Sequence, residues 1–274
     1  MPGAPTHPIA SETAHLWCFD TEIFQEASTT HRWLARLEDH ERIRYAAYGT
    51  SAAKREYLGA RALARTALGH YSGQPAECLR FRTDHLGRPG LTSPSIRGLN
   101  FSLAKTRGLA VGLFAFDRDV GVDVELVAPI EAVEMAERFF SPGELAELLR
   151  LGDAARLSRF YELWTLREAY LKARGIGLAL PLDQLVFHPT SSGGARAEFG
   201  AAIRDDPAHW QFGLTWLTNR HLAATCIRRP SSGVPTRISH FDARGMDRVK
   251  TQGSVFEGSA RLSSPVRAET QERS

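Results

Sequence analysis

Two acidic clusters carry the residue types and spacing from which chemistry can be built. The first is Gly121-Val122-Asp123-Val124-Glu125, and the second is Trp164-Thr165-Leu166-Arg167-Glu168-Ala169-Tyr170-Leu171-Lys172. Val120, Val122 and Val124 alternate with Gly121, Asp123 and Glu125, the period of a strand. Asp123 and Glu125 therefore share a face, about 7 Å apart at about 3.3 Å per residue. Trp164, Glu168 and Lys172 follow at i, i+4 and i+8 and line one stripe of a helix. Two carboxylates from a strand and one from a helix can converge on a single hard cation. All-oxygen ligation suits Mg²⁺ or Mn²⁺, which keep part of their water and bind substrate phosphates. Lys172, one turn beyond Glu168, can then hold a phosphate oxygen. Taken singly, each feature has a plainer account. Acids on a strand are often solvated, and Glu168 with Lys172 can be an ordinary helix pair worth about 0.2–0.5 kcal/mol. Against that, the three valines demand a core, so the opposite face of their strand lines a cleft.

The elements that must position these groups follow from pattern and punctuation. Strands are expected over 15–19, 79–82, 99–103, 109–116 and 120–125, with turns at His85-Leu86-Gly87, Thr106-Arg107-Gly108 and Asp117-Arg118-Asp119. Helices are expected over 31–48, 51–68 and 131–138, and the helix bearing Glu168 over 154–174, stopped by Gly175 and Gly177. Ser141-Pro142-Gly143-Glu144 reads as a capping box with proline at its first helical position. A closing hairpin over 210–217 and 221–227 turns at Asn219. The chain thus divides into a flexible 1–14, an N-terminal half 15–118, a C-terminal half 119–228 holding the acidic motifs, and a tail 229–274. The tail is rich in Ser, Gly, Pro and Arg without a hydrophobic period, and is expected to be disordered outside the body.

The motifs resemble those of the 4′-phosphopantetheinyl transferases, in the longer form that activates peptide, polyketide and fatty-acid synthases. That family shows a Gly-hydrophobic-Asp-x-Glu strand and then a Trp-x-x-Lys-Glu-Ala-x-x-x-Lys helix, with Arg167 here in the lysine position. Leu99 to Leu109 is similar to a third motif, Phe-Asn-hydrophobic-Ser-His-Thr-x-Gly. Anchored on Thr106 to Leu109, it sets Ser102 for the Asn, Ala104 for the Ser and Lys105 for the His. His85-Leu86-Gly87-Arg88-Pro89 resembles the family's Gly-Lys-Pro loop, while Glu41-Arg42-Ile43-Arg44 and Phe139-Phe140-Ser141-Pro142 fall in the family's order. The likeness runs from about residue 15 to about residue 228.

The resemblance implies an α+β fold of two similar halves, each with helices and a small, largely antiparallel sheet. A pseudo-twofold relates the halves, and the active site lies in the cleft between them. It implies Mg²⁺-dependent transfer of 4′-phosphopantetheine from coenzyme A to a serine of an apo acyl or peptidyl carrier protein, releasing 3′,5′-ADP. Asp123, Glu125 and Glu168 would hold the metal. Glu168 and Lys172 would be catalytic. Arg42, Arg88, Pro89, Ala104, Lys105 and Lys172 would bind coenzyme A, with Arg42 and Arg88 at its 3′-phosphate. Two alternatives remain open at this point: a coenzyme A-binding protein of the same fold without turnover, and a Mg²⁺-dependent phosphohydrolase with water as nucleophile.

Composition agrees with a globular body. The chain has 274 residues, 43% hydrophobic, with a net charge of +3, so a sizeable core is available and charge alone implies no nucleic acid. Cys18, Cys78 and Cys226 are widely spaced and odd in number, which fits neither a disulfide framework nor a zinc pattern. With no leader-like N-terminus and no long apolar run, a monomer in the cytoplasm, away from membranes, is expected.

Overall fold

The computed structural model describes residues 12–84, 87–177 and 179–243, and the backbone of 250–256. The first half runs β1 (Thr13–Asp20), α1 (Ala27–Leu34), α2 (Asp39–Ala47), α3 (Ser51–Ser72), β2 (Arg80–Thr83), β3 (Pro89–Ser93), β4 (Leu99–Thr106) and β5 (Leu109–Phe116). The second half repeats this order. It runs β6 (Val120–Leu126), α4 (Ala132–Phe139), α5 (Pro142–Arg150), α6 (Asp153–Arg174), β7 (Leu185–Pro189), β8 (Gly194–Phe199), β9 (Trp210–Trp216) and β10 (His221–Arg228). Two further strands follow, β11 (Arg237–Asp242) and β12 (Lys250–Phe256). The fold is mixed α+β, as expected. Among the described residues no helix is long and apolar enough to cross a membrane.

The repetition extends to chemistry. Helices α3 and α6 each have 22 residues and end on a left-handed glycine, Gly73 at φ 67° and Gly175 at φ 62°, where a residue without Cβ is unstrained. In the first half, buried Arg65 of α3 donates to Glu41 of α2 at 3.1 Å and lies 4.7 Å over the Phe81 ring. In the second half, buried Arg167 of α6 bonds Glu144 of α5 and lies 5.6 Å over the Phe187 ring. Both glutamates close a capping box at the start of their own helix. Each capping box also secures the strand that follows: Phe81 N–H donates to Glu38 at 2.9 Å, and Phe187 N–H to Glu144 at 3.0 Å. Burial alone would raise the Glu41 carboxyl, but the hydrogen bonds and charge of Arg65 outweigh it and hold the group below the usual carboxylate range.

One sheet has the order β12-β11-β1-β5-β4 and the other β6-β10-β9-β8-β7, with β2 and β3 as a separate hairpin. Every pairing is antiparallel except β1 with β11. The two sheets meet where β4 runs beside β6. Val122 N–H donates to the Ser102 hydroxyl and Leu126 N–H to the Thr106 hydroxyl, both at 3.2 Å. Between the sheets lies a core of Leu16, Ala104, Val111, Leu113 and the three valines of β6. Each valine fully buried there contributes about 1.5–3 kcal/mol. The strand's other face, Gly121, Asp123 and Glu125, is thereby turned toward α6. At Gly121 a Cβ would stand 1.9 Å from the Ala169 carbonyl oxygen and 2.5 Å from the Ala173 nitrogen. Only glycine lets β6 lie this close to α6.

The expected tail is corrected in part. Residues 237–242 form β11, paired in parallel with the outer edge of β1, and Phe241 stacks on Trp17 with centroids 4.8 Å apart and planes 9° apart. Thr236, His240, Phe241 and Ala243 are buried. A six-residue strand is too short to declare a period, and its partner lies at the other end of the chain. The remainder of 244–274 lies outside the described residues apart from the backbone of β12. The expected helix 31–48 is two helices, because Glu38 starts a new capping box with Glu41.

Candidate functional site

Strand β6 and helix α6 bring the acidic motifs together as their spacing predicts. The Lys172 ammonium donates to Asp123 Oδ1 at 2.6 Å. Asp123 is buried, and its other oxygen, Oδ2, is wholly enclosed without a hydrogen-bond partner among the described residues. An enclosed carboxylate oxygen left bare costs about 1–3 kcal/mol or more, so this oxygen is the position in the site that most wants a cation. Burial first, and the Asp123 charge second, push the Glu125 carboxyl up to about 7. The same two causes raise Glu168, against the opposing charge of Lys172. Both glutamates thus feel the charge of Asp123, as carboxylates gathered in one small volume do. This oxygen-only, like-charged set fits a hard divalent cation. As the side chains stand, no three His, Cys, Asp or Glu among the described residues already form a metal cage; a cation held by all three acids would require the glutamates to turn toward Asp123.

Beside the acids opens a cavity of about 270 Å³ lined from both halves, by Arg88, Pro89 and Phe101 on one side and Glu168, Lys172 and Gly175 on the other. A neighbouring cavity of about 240 Å³ shares Arg88, Pro89 and Phe101. The Arg88 backbone N–H donates to Asp84 at 2.8 Å and its guanidinium to the Phe101 carbonyl at 3.3 Å. The guanidinium also crosses to the end of α6, where a Cβ on Gly175 would be 3.0 Å from Arg88 Nη1. A cation there meets the negative end of the helix dipole. His85 and Leu86, which precede it in the expected loop, lie outside the described residues.

Of the residues expected in the site, Asp123, Glu125, Glu168, Lys172, Arg88 and Pro89 are brought together. Ala104 is instead buried in the core between the sheets. Lys105 faces α3, paired with Glu56 at 3.3 Å and 5.8 Å over the Tyr48 ring. Arg42 folds back onto the Leu37 carbonyl and Asp39. None of these three lines either cavity. Arg167, next to Glu168 in the motif, points away into its brace with Glu144. Two participants escaped the sequence reading. Thr106 places its hydroxyl 3.5 Å from Glu125 Oε2, and Phe101 walls both cavities. The alternation of Ser102, Ala104 and Thr106 along β4 was the available signal for the first.

Comparison with known proteins gives the same direction. The model of the 4′-phosphopantetheinyl transferase superfamily matches residues 119–226, the stretch that holds all three acids. The chain is 31% identical over 181 residues to the 4′-phosphopantetheinyl transferase HetI of Nostoc sp., covering 65% of this chain and 76% of that one. It is 30% identical over 246 residues to a phosphopantetheinyl transferase of Thraustochytrium sp., covering 84% of each chain. With Sfp of Bacillus subtilis it is 35% identical over 106 residues, 38% of this chain and 45% of the relative's length. A solved structure, the holo-[acyl-carrier-protein] synthase of Thermotoga maritima, matches with a TM-score of 0.33 and 22% identity, over 40% of this chain and 62% of its own.

Proposed function

We propose, from the premise that this chain belongs to the 4′-phosphopantetheinyl transferase family, that it transfers 4′-phosphopantetheine from coenzyme A to a serine of an acyl or peptidyl carrier protein with Mg²⁺ bound. The observation that carries the reading is the bare, enclosed Oδ2 of Asp123 at the edge of a cavity that also holds Lys172 and Arg88. Coenzyme A brings a pyrophosphate and a 3′-phosphate, so its site must offer cations at two separated places. Lys172 stands at the acids and Arg88 across the cavity, which suits that demand.

Asp123, Glu125 and Glu168 are the residues to hold Mg²⁺. Held there, Mg²⁺ would supply neutralisation of pyrophosphate and leaving-group charge. Lys172 swings from Asp123 to a phosphate oxygen and neutralises the same charge. Arg88 takes the 3′-phosphate through its guanidinium fork. Arg42 reaches that phosphate only by releasing Asp39. Phe101 and Pro89 keep water from the cavity wall. Glu168, which lines the cavity, is the carboxylate placed to accept the proton of the attacking serine hydroxyl. The test is incubation with coenzyme A, Mg²⁺ and a panel of apo carrier proteins, read by intact mass. The expected result is addition of phosphopantetheine to at least one carrier. Release of phosphopantetheine without a carrier, or an unchanged mass on every carrier, would overturn it.

A further inference from the structure

Two turns meet at the rim of the site nearest Glu125. One joins β4 to β5 through Arg107 and Gly108; the other joins β9 to β10 through Thr218 and Arg220. The His221 ring spans them, with Nδ1 2.8 Å from the Thr218 hydroxyl and Nε2 2.8 Å from the Arg107 carbonyl. The Thr218 hydroxyl already accepts the backbone N–H groups of Arg220 at 3.1 Å and His221 at 3.0 Å. Its own proton therefore goes to Nδ1. The hydrogen-bond network thus assigns the ring proton to Nε2, which donates it to the Arg107 carbonyl. A histidine of the second half in this way holds a turn of the first.

That turn begins at Thr106. The Thr106 hydroxyl accepts the Leu126 N–H at 3.2 Å, which leaves its proton for Glu125 Oε2 at 3.5 Å. Glu125 sits near the end of β6 with three rotatable bonds and no other side-chain donor on its carboxylate among the described residues. We propose that Thr106 is a positioning residue for Glu125, holding its carboxylate on the α6 side beside Asp123, and that His221 fixes the turn from which Thr106 acts. Cation affinity at the three acids is then set partly by the opposite half of the molecule. The inference rests on the reading of those acids as a divalent-cation site.

The test measures Mn²⁺ binding without coenzyme A on the full chain, as free Mn²⁺ by electron paramagnetic resonance, together with Tm. Thr106→Val should bind Mn²⁺ about tenfold more weakly, the lower end for loss of a group that orients a metal ligand. Thr106→Ser, which keeps the hydroxyl, should stay within about twofold of wild type, and His221→Ala should lose about threefold. Wild-type affinity in Thr106→Val overturns the proposal. So does a Thr106→Ser as weak as Thr106→Val, because keeping the hydroxyl would then not preserve affinity. If Thr106→Val does not fold, His221→Ala decides, and unchanged affinity there overturns the proposal. Asp123→Ala separates the two levels: a wild type that binds no Mn²⁺, or an Asp123→Ala that binds it equally well, overturns the cation-site reading and this inference with it.

Discussion

Glu125 stands where burial and the charge of Asp123 both oppose its ionisation, and its carboxyl is raised to about 7. Unfolded, the same group ionises near the ordinary value of about 4.3. Between those two values the native protein holds a proton that the unfolded chain has lost, so stability falls as pH rises through that window. Glu168, raised for the same reasons, adds to the slope. We expect Tm in chelator to decline from pH 5 to pH 7.5 by more in wild type than in Glu125→Gln, and Mg²⁺ at pH 7.5 to restore part of the loss in wild type alone. Equal slopes in the two proteins would remove Glu125 from the charge cluster. At Asp123 the cost is kinetic: Asp123→Ala should cut transfer to a carrier protein by about two orders of magnitude or more, the usual scale for a lost electrostatic partner. Turnover close to wild type at saturating Mg²⁺ would remove Asp123 from the site. Arg88 calls for a cycle rather than a single measurement. Removing the 3′-phosphate from coenzyme A should weaken binding to wild type, and Arg88→Ala should lose most of that discrimination. An undiminished penalty in the variant would place the phosphate elsewhere.

Helix α6 separates its tasks by face. Glu168 and Lys172 look into the cavity, while Arg167 is 1% exposed and locked to Glu144. Burial lowers the Arg167 pKa and the charge of Glu144 opposes that, so the pair is stable only as a pair. Arg167→Ala leaves Glu144 charged and buried, and should lower unfolding free energy in urea by about 3–5 kcal/mol. Arg167→Lys keeps the charge but loses the planar fork, and should fall between the variant and wild type. A change below about 1 kcal/mol for Arg167→Ala would mean the brace is ornamental. The capping box at Ser141 was legible in the sequence because its partners are three residues apart. The brace was not, because Glu144 and Arg167 lie on different helices, and neither residue type announces burial. The first half's equivalent, Glu41 with Arg65, was hidden for the same reason. Strand β6 was legible to within one residue at its end, since alternation over Val120 to Glu125 encodes both the core face and the acidic face. Strands β7 and β8 were not: their alternation is broken by His188 and Pro189 and by the small residues that follow.

At the scale of the molecule, the two halves are alike in order but closed differently at their edges. The second sheet sets β6 against β4, whereas β1 has its outer edge covered by β11 from beyond the second half. An uncovered β1 would expose a row of backbone donors and acceptors together with Trp17. Trp17 is instead fully buried, its indole N–H donating to the Tyr71 hydroxyl at 2.7 Å and its face covered by Phe241. Thr236 adds a tie to the second half, its N–H donating to the Gln211 side chain at 2.7 Å. Composition could not reveal this, because 229–274 is polar on average and a few apolar residues in register with β1 do the covering. A chain ending at Pro230 should therefore be less stable than the full chain. Losing a buried Phe241 and uncovering Trp17 costs on the order of 3 kcal/mol, which for a body of this size lowers Tm by roughly 10 °C. Trp17 should at the same time become accessible to a neutral fluorescence quencher. The cavity lies at the far edge of that sheet, beyond β5 and β4, so coenzyme A binding at low temperature should survive the truncation. A truncated chain that melts with the full one would show that β11 is dispensable. One that keeps its Tm but no longer modifies a carrier protein would make the segment after β10 a docking arm rather than a cover for β1.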